Sequence, residues 1–329
     1  MYPLSFEDLA ATPAPFDELV LATPDIDRFC SASAWVVSAQ LAFHAQQPRL
    51  VLRSDAGWAA LSRGEAYGIG RFYAALEAMW GLACPFVGPD PRRLAREAVR
   101  ALMERRHEWD ALWLGGIVRD SALFRALVQR LGPFAGARGI RLGPTATRWT
   151  ASLAGGWDGW LSRRSTKFRT GLRRAIARAG EAGLELERHD APTVDEAHLL
   201  YDRLLAVEAR SWKGAAGSGF VDGGMRAFYR EMLPRLAASG RLRVVIGRIG
   251  ERDVSFVFGG VLGDTFRGLQ VSFDDAHRSL ALGNVMQAMM IMWLGEEGVM
   301  VYDLGSDMEY KARWAETPME TVTLVTFRS

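Results

Sequence analysis

VSFDDAHRSLALGNVMQAMMIMWLGEEGVMVYDLGSDMEYKARW, residues Val271 to Trp314, is the stretch whose reading decides the fold. It reads as a strand, a loop, a helix, a second strand, and a Gly/Asp loop ending in Tyr-Lys. A strand, a helix and a further strand in that order form a crossover, which sets the second strand parallel to the first. The loop between Phe273 and Gly283 runs into a helix N-terminus. Backbone N–H groups there lack partners and attract anions. Arg278, Ser279, Gly283 and Asn284 add donors or allow close backbone approach, so the pattern suits a diphosphate. Neither GxxxxGK[ST] nor a GxGxxG after a parallel strand is present, which argues against a nucleotide P-loop and a dinucleotide fold.

Working outward, three strands precede the helix: Arg241–Ile249, Val254–Leu262 and Phe266–Phe273, with turns at 250–253 and 263–264. They form an antiparallel meander that leads into the crossover. Before them, Leu184–Arg188 alternates as a strand, and Gly224–Ala238 has helical spacing. Thr193–Trp212 reads as a helix with Thr193 as N-cap and Asp195 and Glu196 in its first turn, where negative charge suits the helix dipole. On it Tyr201, Leu204, Leu205, Glu208 and Trp212 share a face. A carboxylate in an apolar stripe is either desolvated, with a raised pKa, or held in a salt bridge, with the neighbourhood of Arg210 or with Lys213. Both readings stay open. From Trp157 to about Ala179 an apolar stripe (Trp157, Trp160, Leu161, Phe168, Leu172, Ala175, Ile176, Ala179) backs Arg163, Arg164, Lys167, Arg169, Arg173, Arg174 and Arg178. That basic face is either a phosphate or nucleic-acid surface or a solvated face paired with acids elsewhere. Thr321–Phe327 alternates as a last strand.

The first half alternates strands and helices as an α/β domain does. Residues 1–20 read as an irregular lead-in. Helices are expected at Ile26–Phe43, Ile69–Trp80, Pro89–Arg105 and from Ser121, and strands at Arg49–Arg53, Gly57–Leu61, Ala111–Leu114 and Thr147–Leu153. No phosphate loop or catalytic cluster stands out in it. Gly155-Gly156 is the expected boundary, giving domains 1–154 and 155–329. The 329 residues, 49% hydrophobic and 24% charged, suffice for two packed cores. Net charge is +2, so bulk charge argues against a nucleic-acid partner. Cys30 and Cys84 read as buried reduced thiols, and the five histidines show no metal spacing. The N-terminus has no basic region of a secretory signal, and no run is long enough for a membrane span, so a cytoplasmic location is expected.

Three pieces carry a resemblance: W157-x-x-W160 with KFRTGLRR, the segment E208-A-R-S-W-K-G214, and FDDAHRSLALGN followed by YDLGSDMEYKARW. Together they resemble the Gcn5-related N-acetyltransferase (GNAT) superfamily, and most closely its tandem-domain CelD-like and FemAB-like branch. The likeness is strong over about residues 155–318. It implies two GNAT-like α/β (α+β) domains, each a mixed, largely antiparallel sheet flanked by helices, the first non-catalytic. It implies transfer of an acetyl or other acyl group from acyl-CoA to an amine by direct attack, with no metal. The donor would lie between the splayed strands 266–273 and 300–304. Backbone groups at Gln270, Val271 and Ser272 would polarise its carbonyl. Arg278, Ser279, Leu280, Ala281, Leu282, Gly283 and Asn284 would hold its pyrophosphate. Here the family's Arg/Gln-x-x-Gly-x-Gly/Ala loop is Arg278-Ser-Leu-Ala-Leu-Gly283, a departure in its glycines.

Within that resemblance Glu208 is the candidate base, Tyr310 the candidate acid for the leaving thiolate, and Asp303 a third catalytic or orienting group. Trp212, Lys213, Asp307 and Lys311 are candidates for binding the acceptor, a small-molecule, sugar or peptide amine, with either lysine holding a phosphate or acidic group. Tyr310 as a core tyrosine, Asp303 as a strand-end cap and Met286, Met289, Met290 and Met292 as core packing are the plainer readings. Two other functions remain: Fem-type transfer from aminoacyl-tRNA, and a non-catalytic binding module on the same fold. The acceptor, acyl length and oligomeric state are not encoded in any motif.

Overall fold

The structure, a computed structural model, describes residues 1–217 and 219–328. Contacts divide the chain into two compact units, Met1–Thr147 with Met319–Ser329, and Arg148–Pro318. The chain opens with β1 (Tyr2–Leu4), α1 (Phe6–Ala11), α2 (Ala14–Ala22), α3 (Arg28–Ser31), α4 (Ser33–Phe43), β2 (Arg49–Ser54), β3 (Gly57–Ala66), β4 (Gly70–Ala75) and β5 (Phe86–Val87). There follow α5 (Pro91–Glu104), β6 (Ala111–Val118), α6 (Ala122–Leu131) and β7 (Ala135–Ser152), which passes from the first unit into the second. The second unit continues with α7 (Gly156–Ser162), α8 (Thr166–Glu181), β8 (Leu184–Asp190), α9 (Val194–Glu208), α10 (Trp212–Ala215) and α11 (Gly223–Ala238). Then come β9 (Leu242–Ile249), β10 (Arg252–Leu262), β11 (Thr265–Phe273), α12 (Leu282–Glu296), β12 (Val301–Ser306) and β13 (Thr317–Arg328).

One strand plan serves both units. In the first, β2, β3 and β4 form an antiparallel meander, α5 crosses over, β6 lies parallel to β4, and β13 closes antiparallel to β6. In the second, β8 to β11 form the meander, α12 crosses over, β12 lies parallel to β11, and residues 148–152 of β7 close antiparallel to β12. Each unit is therefore a mixed, mostly antiparallel sheet with helices. The last strand belongs mainly to the first unit, whereas the sequence boundary had assigned it to the second. Its alternating TVTLVTF specifies a strand but not the sheet it joins.

In the second unit α12 supplies much of the core. Met286, Ala288, Met290, Ile291 and Leu294 are fully buried against Val245, Val257, Phe266 and Tyr302. Each such side chain contributes about 1.5–3 kcal/mol on burial. Met286 and Met290 are thus core residues. The apolar stripe of the basic segment also packs inward, but as two helices: α7 ends at Ser162, and Ser165 caps α8 by accepting from Phe168 N. Trp160 stacks on Trp157 and on Trp314, both with ring centroids 5.4 Å apart, and Phe168 meets Trp314 edge-on at 5.2 Å. This cluster ties the start of the unit to the 3-10 segment Glu309–Arg313, which carries Tyr310 and Lys311.

Several sequence expectations differ from the structure. Ile69–Trp80 is not a helix: Gly68 and Gly70 at positive φ turn the chain into β4, which pairs with β3 and β6. The apolar run Phe72–Leu76 suits a strand buried on both faces as well as a helix, and tertiary pairing decided it. Residues 1–20 hold β1, α1 and most of α2 rather than an irregular lead-in. The segment Thr193–Trp212 breaks after Glu208, and Trp212 starts α10. Among the described residues no helix is long and apolar enough to cross a membrane.

Candidate active site

β11 and β12 pair in parallel only over Thr265–Arg267 and Val301–Asp303. Beyond Arg267 the register with β10 slips between Phe258 and Gly259, which leaves Leu269 as an extra, bulged residue. A bulge bends a strand and re-aims its side chains. Here it turns β11 away from β12 and opens a cleft along residues 268–273. Tyr302 fills the base of the cleft, and a Cβ on Gly268 would sit 3.1 Å from its hydroxyl. Tyr229 and Lys213 brace the bulged edge. The Tyr229 hydroxyl contacts Leu269 O at 3.5 Å and accepts from Gln270 Nε2 at 3.1 Å, and Lys213 Nζ donates to Val271 O at 2.9 Å and Gln270 Oε1 at 3.2 Å.

The cleft is the mouth of a cavity of about 600 Å³, whose walls include Glu208, Trp212, Lys213, Gln270, Ser272, Asn284, Gln287, Tyr310 and Lys311. Glu208 comes from the C-terminal end of α9, whose start is fixed by a capping box between Thr193 and Glu196. Its residue exposure is 0%. Oε2 accepts from Ser211 Oγ at 3.2 Å, while Oε1 has no hydrogen-bond partner among the described residues. Gly219 leaves the room for it, since a Cβ there would lie 2.5 Å from Oε1. Ser211 also accepts from Gly214 N at 3.1 Å, so one hydroxyl both caps α10 and orients the carboxylate. The Ser272 hydroxyl is a second buried group on the same walls without a partner. Two unsatisfied polar atoms thus line one cavity, an arrangement that calls for a catalytic role, a water or a ligand.

Burial lowers the Lys213 pKa from its ordinary value, and the charge of Glu208 offsets part of that. Lys311, 7% exposed, donates to Ser306 O at 2.6 Å. Its pKa is pushed down to about 8, by burial first and then by Arg267, with Asp303 and Asp307 opposing. Desolvation raises the pKa of the Tyr310 phenol, so it is protonated at neutral pH.

A second cavity of about 830 Å³ lies beside the first, and Asn284 and Tyr310 line both. Its wall carries Arg163, Arg164, Lys167, Arg178 and Arg313, with Phe168 and Trp314, and no acidic residue. Glu316 holds Arg163 and Arg164 in place, and burial lowers the Arg164 pKa to about 10. The wall also includes Ala281, the residue ahead of α12. Ala281 adopts the left-handed conformation, φ 54 and ψ 40, and offers no side-chain cap. It is a non-glycine residue at positive φ, a conformation that a Cβ makes costly. The start of α12 therefore borders a cavity with a cationic wall.

The structure brings Glu208, Trp212, Lys213, Gln270, Val271, Ser272, Gly283, Asn284, Tyr310 and Lys311 to one cavity. It does not bring all the expected residues there. Arg278 is exposed and pairs with Asp275, and Ser279 and Leu280 line neither cavity. Leu282 is core. Asp303 is buried between Arg148 (2.7 Å) and Arg267 (2.9 Å) and accepts from Gly305 N at 2.8 Å, so its oxygens are committed to structure. Asp307 accepts from Trp149 Nε1 at 2.6 Å on the surface. Arg210, near Glu208 in sequence, pairs with Asp274 instead. Gln287, Gly219, Tyr229 and Arg313 were missed. Gln287, polar within a run of apolar helix residues, is the one with a sequence signal. Among the described residues no group of side chains could hold a metal ion.

Residues 166–312 match the family model described as acetyltransferase (GNAT) domain. The fold of the whole chain is similar to that of FemX, with a TM-score of 0.68 at 12% identity over 98% of this chain and 97% of that one. It is similar to a conserved protein of unknown function from Bacteroides thetaiotaomicron VPI-5482, with a TM-score of 0.64 at 15% identity over 96% and 97%. L-PGS from Bacillus licheniformis aligns with a TM-score of 0.55 at 12% identity over 97% and 92%. Likeness at these identities is one of fold. Among curated proteins none matches the sequence. Residues 166–312, within the second unit, thus match a GNAT-type acetyltransferase domain, and the fold of the whole chain is similar to that of FemX.

Proposed function

We propose that the second unit transfers an acyl group from acyl-CoA to an amine, and that the first unit is non-catalytic. The observation that carries this reading is the pair of cavities meeting at Asn284 and Tyr310. One has a cationic wall and a helix N-terminus, fit for the phosphates of a large donor. The other has a bulged strand edge and an unpartnered buried carboxylate, fit for the reacting centre. The acyl-CoA supplies a thioester carbonyl with a thiol leaving group. The β11 edge at Gln270–Ser272 polarises the carbonyl oxygen. Glu208 takes the proton that the attacking amine gives up as the C–N bond forms and the C–S bond breaks. Tyr310 returns a proton to the departing sulfur. Trp212 and Lys213 border the path of the acceptor, and Asp303 serves through Arg267 to hold β12 in place. Reduced thiols at Cys30 and Cys84 fit a cytoplasmic protein.

A second reading has aminoacyl-tRNA as donor. It is favoured by Arg173 and Arg174, which extend the basic face of α8 as exposed residues beyond the cavity. The deciding assay gives the purified full chain acetyl-CoA with a panel of amines and follows free thiol and amide product by mass. Amide and thiol in equal amounts are expected. Neither thiol nor amide from acetyl-CoA, together with binding of tRNA, would reverse the order of the two readings.

A further inference from the structure

The cavity that holds Glu208 has three charged residues on its walls, Glu208, Lys213 and Lys311. Two cations thus face one anion. Lys213 is tied to β11 through Val271 O and Gln270 Oε1 and is electrostatically coupled to Glu208. Lys311 enters from the opposite wall, on the turn after β12, anchored by Trp314, whose N donates to Lys311 O at 2.8 Å. Its ammonium has three N–H donors, and among the described residues Ser306 O is the acceptor it reaches. The centroid of the Tyr310 ring lies 5.9 Å from Nζ, and among the described residues no second hydrogen-bond acceptor meets this ammonium, whose residue is 7% exposed. A buried ammonium with spare donors is costly unless a partner arrives.

The donor's phosphates do not answer this need, because their cationic wall lies in the neighbouring cavity. The attacking amine does not answer it either, since it must be neutral to act. On the acyl-transfer reading above, we propose that the acceptor is an amine that also bears an anionic group, a carboxylate or a phosphate, and that Lys311 holds that group. One such group balances the two lysines against Glu208. Seating it beside Lys311 restores the full charge that burial and Arg267 depress, and it fixes the distance from the anion to the nitrogen that faces Glu208. Lys311 therefore acts in specificity, by selecting and orienting the acceptor.

The test uses the full chain, acetyl-CoA and matched acceptors with and without an anion: phenylalanine and phenethylamine, glycine and methylamine, glucosamine 6-phosphate and glucosamine. In at least one pair the anionic member should have a kcat/KM about 10-fold or more above its partner, the scale of a charged hydrogen bond. The amino-acid pairs and the sugar pair separate carboxylate from phosphate. Lys311→Met should abolish the preference by lowering kcat/KM for the anionic member alone, and Lys311→Arg should retain part of it. If Lys311→Met slows both members of a pair equally, Lys311 is structural and the proposal falls. It also falls if amide forms with no preference for anionic acceptors, or if acetyl-CoA binds and no anionic acceptor is used, while the acyl-transfer reading survives the first of these. If acetyl-CoA neither binds nor is consumed, that reading fails and takes this proposal with it.

Discussion

Glu208 and Asp303 show how two buried carboxylates in one domain divide their work. Asp303 has each oxygen committed, to two guanidinium groups and a backbone N–H, and its removal would leave two arginines unbalanced. Glu208 has one oxygen on Ser211 and one facing the cavity unpartnered. Only the second arrangement leaves a lone pair for a proton in transit. Glu208→Gln keeps the shape and the Ser211 contact but cannot accept that proton. Its kcat should fall about 10²–10⁴-fold, the usual worth of a general base, while the Kd for CoA in calorimetry stays within about twofold. An unchanged kcat would remove Glu208 from the role. Glu208 was legible in the sequence because a carboxylate in an apolar stripe breaks the local pattern. The commitment of Asp303 was not legible, because its partners Arg148 and Arg267 lie 155 and 36 residues away along the chain.

At the scale of elements, α12 and its loop were the clearest part of the chain. The strand, helix and strand of Val271–Trp314 all stand where the spacing puts them, and the splay of β11 from β12 follows from a bulge at Leu269. What the loop's glycine pattern obscured was its shape. Ala281 holds the left-handed backbone that glycine holds at lower energy, at a cost of about 1–2 kcal/mol. Ala281→Gly should therefore stabilise the second unit by about 0.5–1 kcal/mol after the added freedom of the unfolded chain is set against it, a rise of roughly 2 °C in its thermal midpoint. A fall in the midpoint would show that the Cβ of Ala281 makes contacts worth more than the strain. The misread element, β4, has the opposite lesson: Phe72–Ala75 pairs with β3, and its first three residues also pair with β6, which outweighed any helical tendency of the segment.

On the scale of the whole molecule, the meander and crossover of the second unit were visible as alternating periods, but the same plan in the first unit was not, because β4 reads as a helix, and neither was the unit that the last strand joins. β13 starts in the second unit and completes the sheet of the first, and no local pattern records which sheet a strand will join. Net charge was equally uninformative. A total of +2 conceals a cavity walled by Arg163, Arg164, Lys167, Arg178 and Arg313 with no acid among them. The central claim is that this wall grips the phosphates of an acyl donor whose reacting end lies in the adjoining cavity. A titration of acetyl-CoA by calorimetry against the full chain and against Lys167→Ala/Arg178→Ala/Arg313→Ala, at two salt concentrations, tests it most directly. Saturable binding to the full chain is expected, weakened by salt as exposed charge pairs are, and at least about tenfold weaker in the triple variant. Equal affinity for both proteins, or no binding of acetyl-CoA to either, would contradict it.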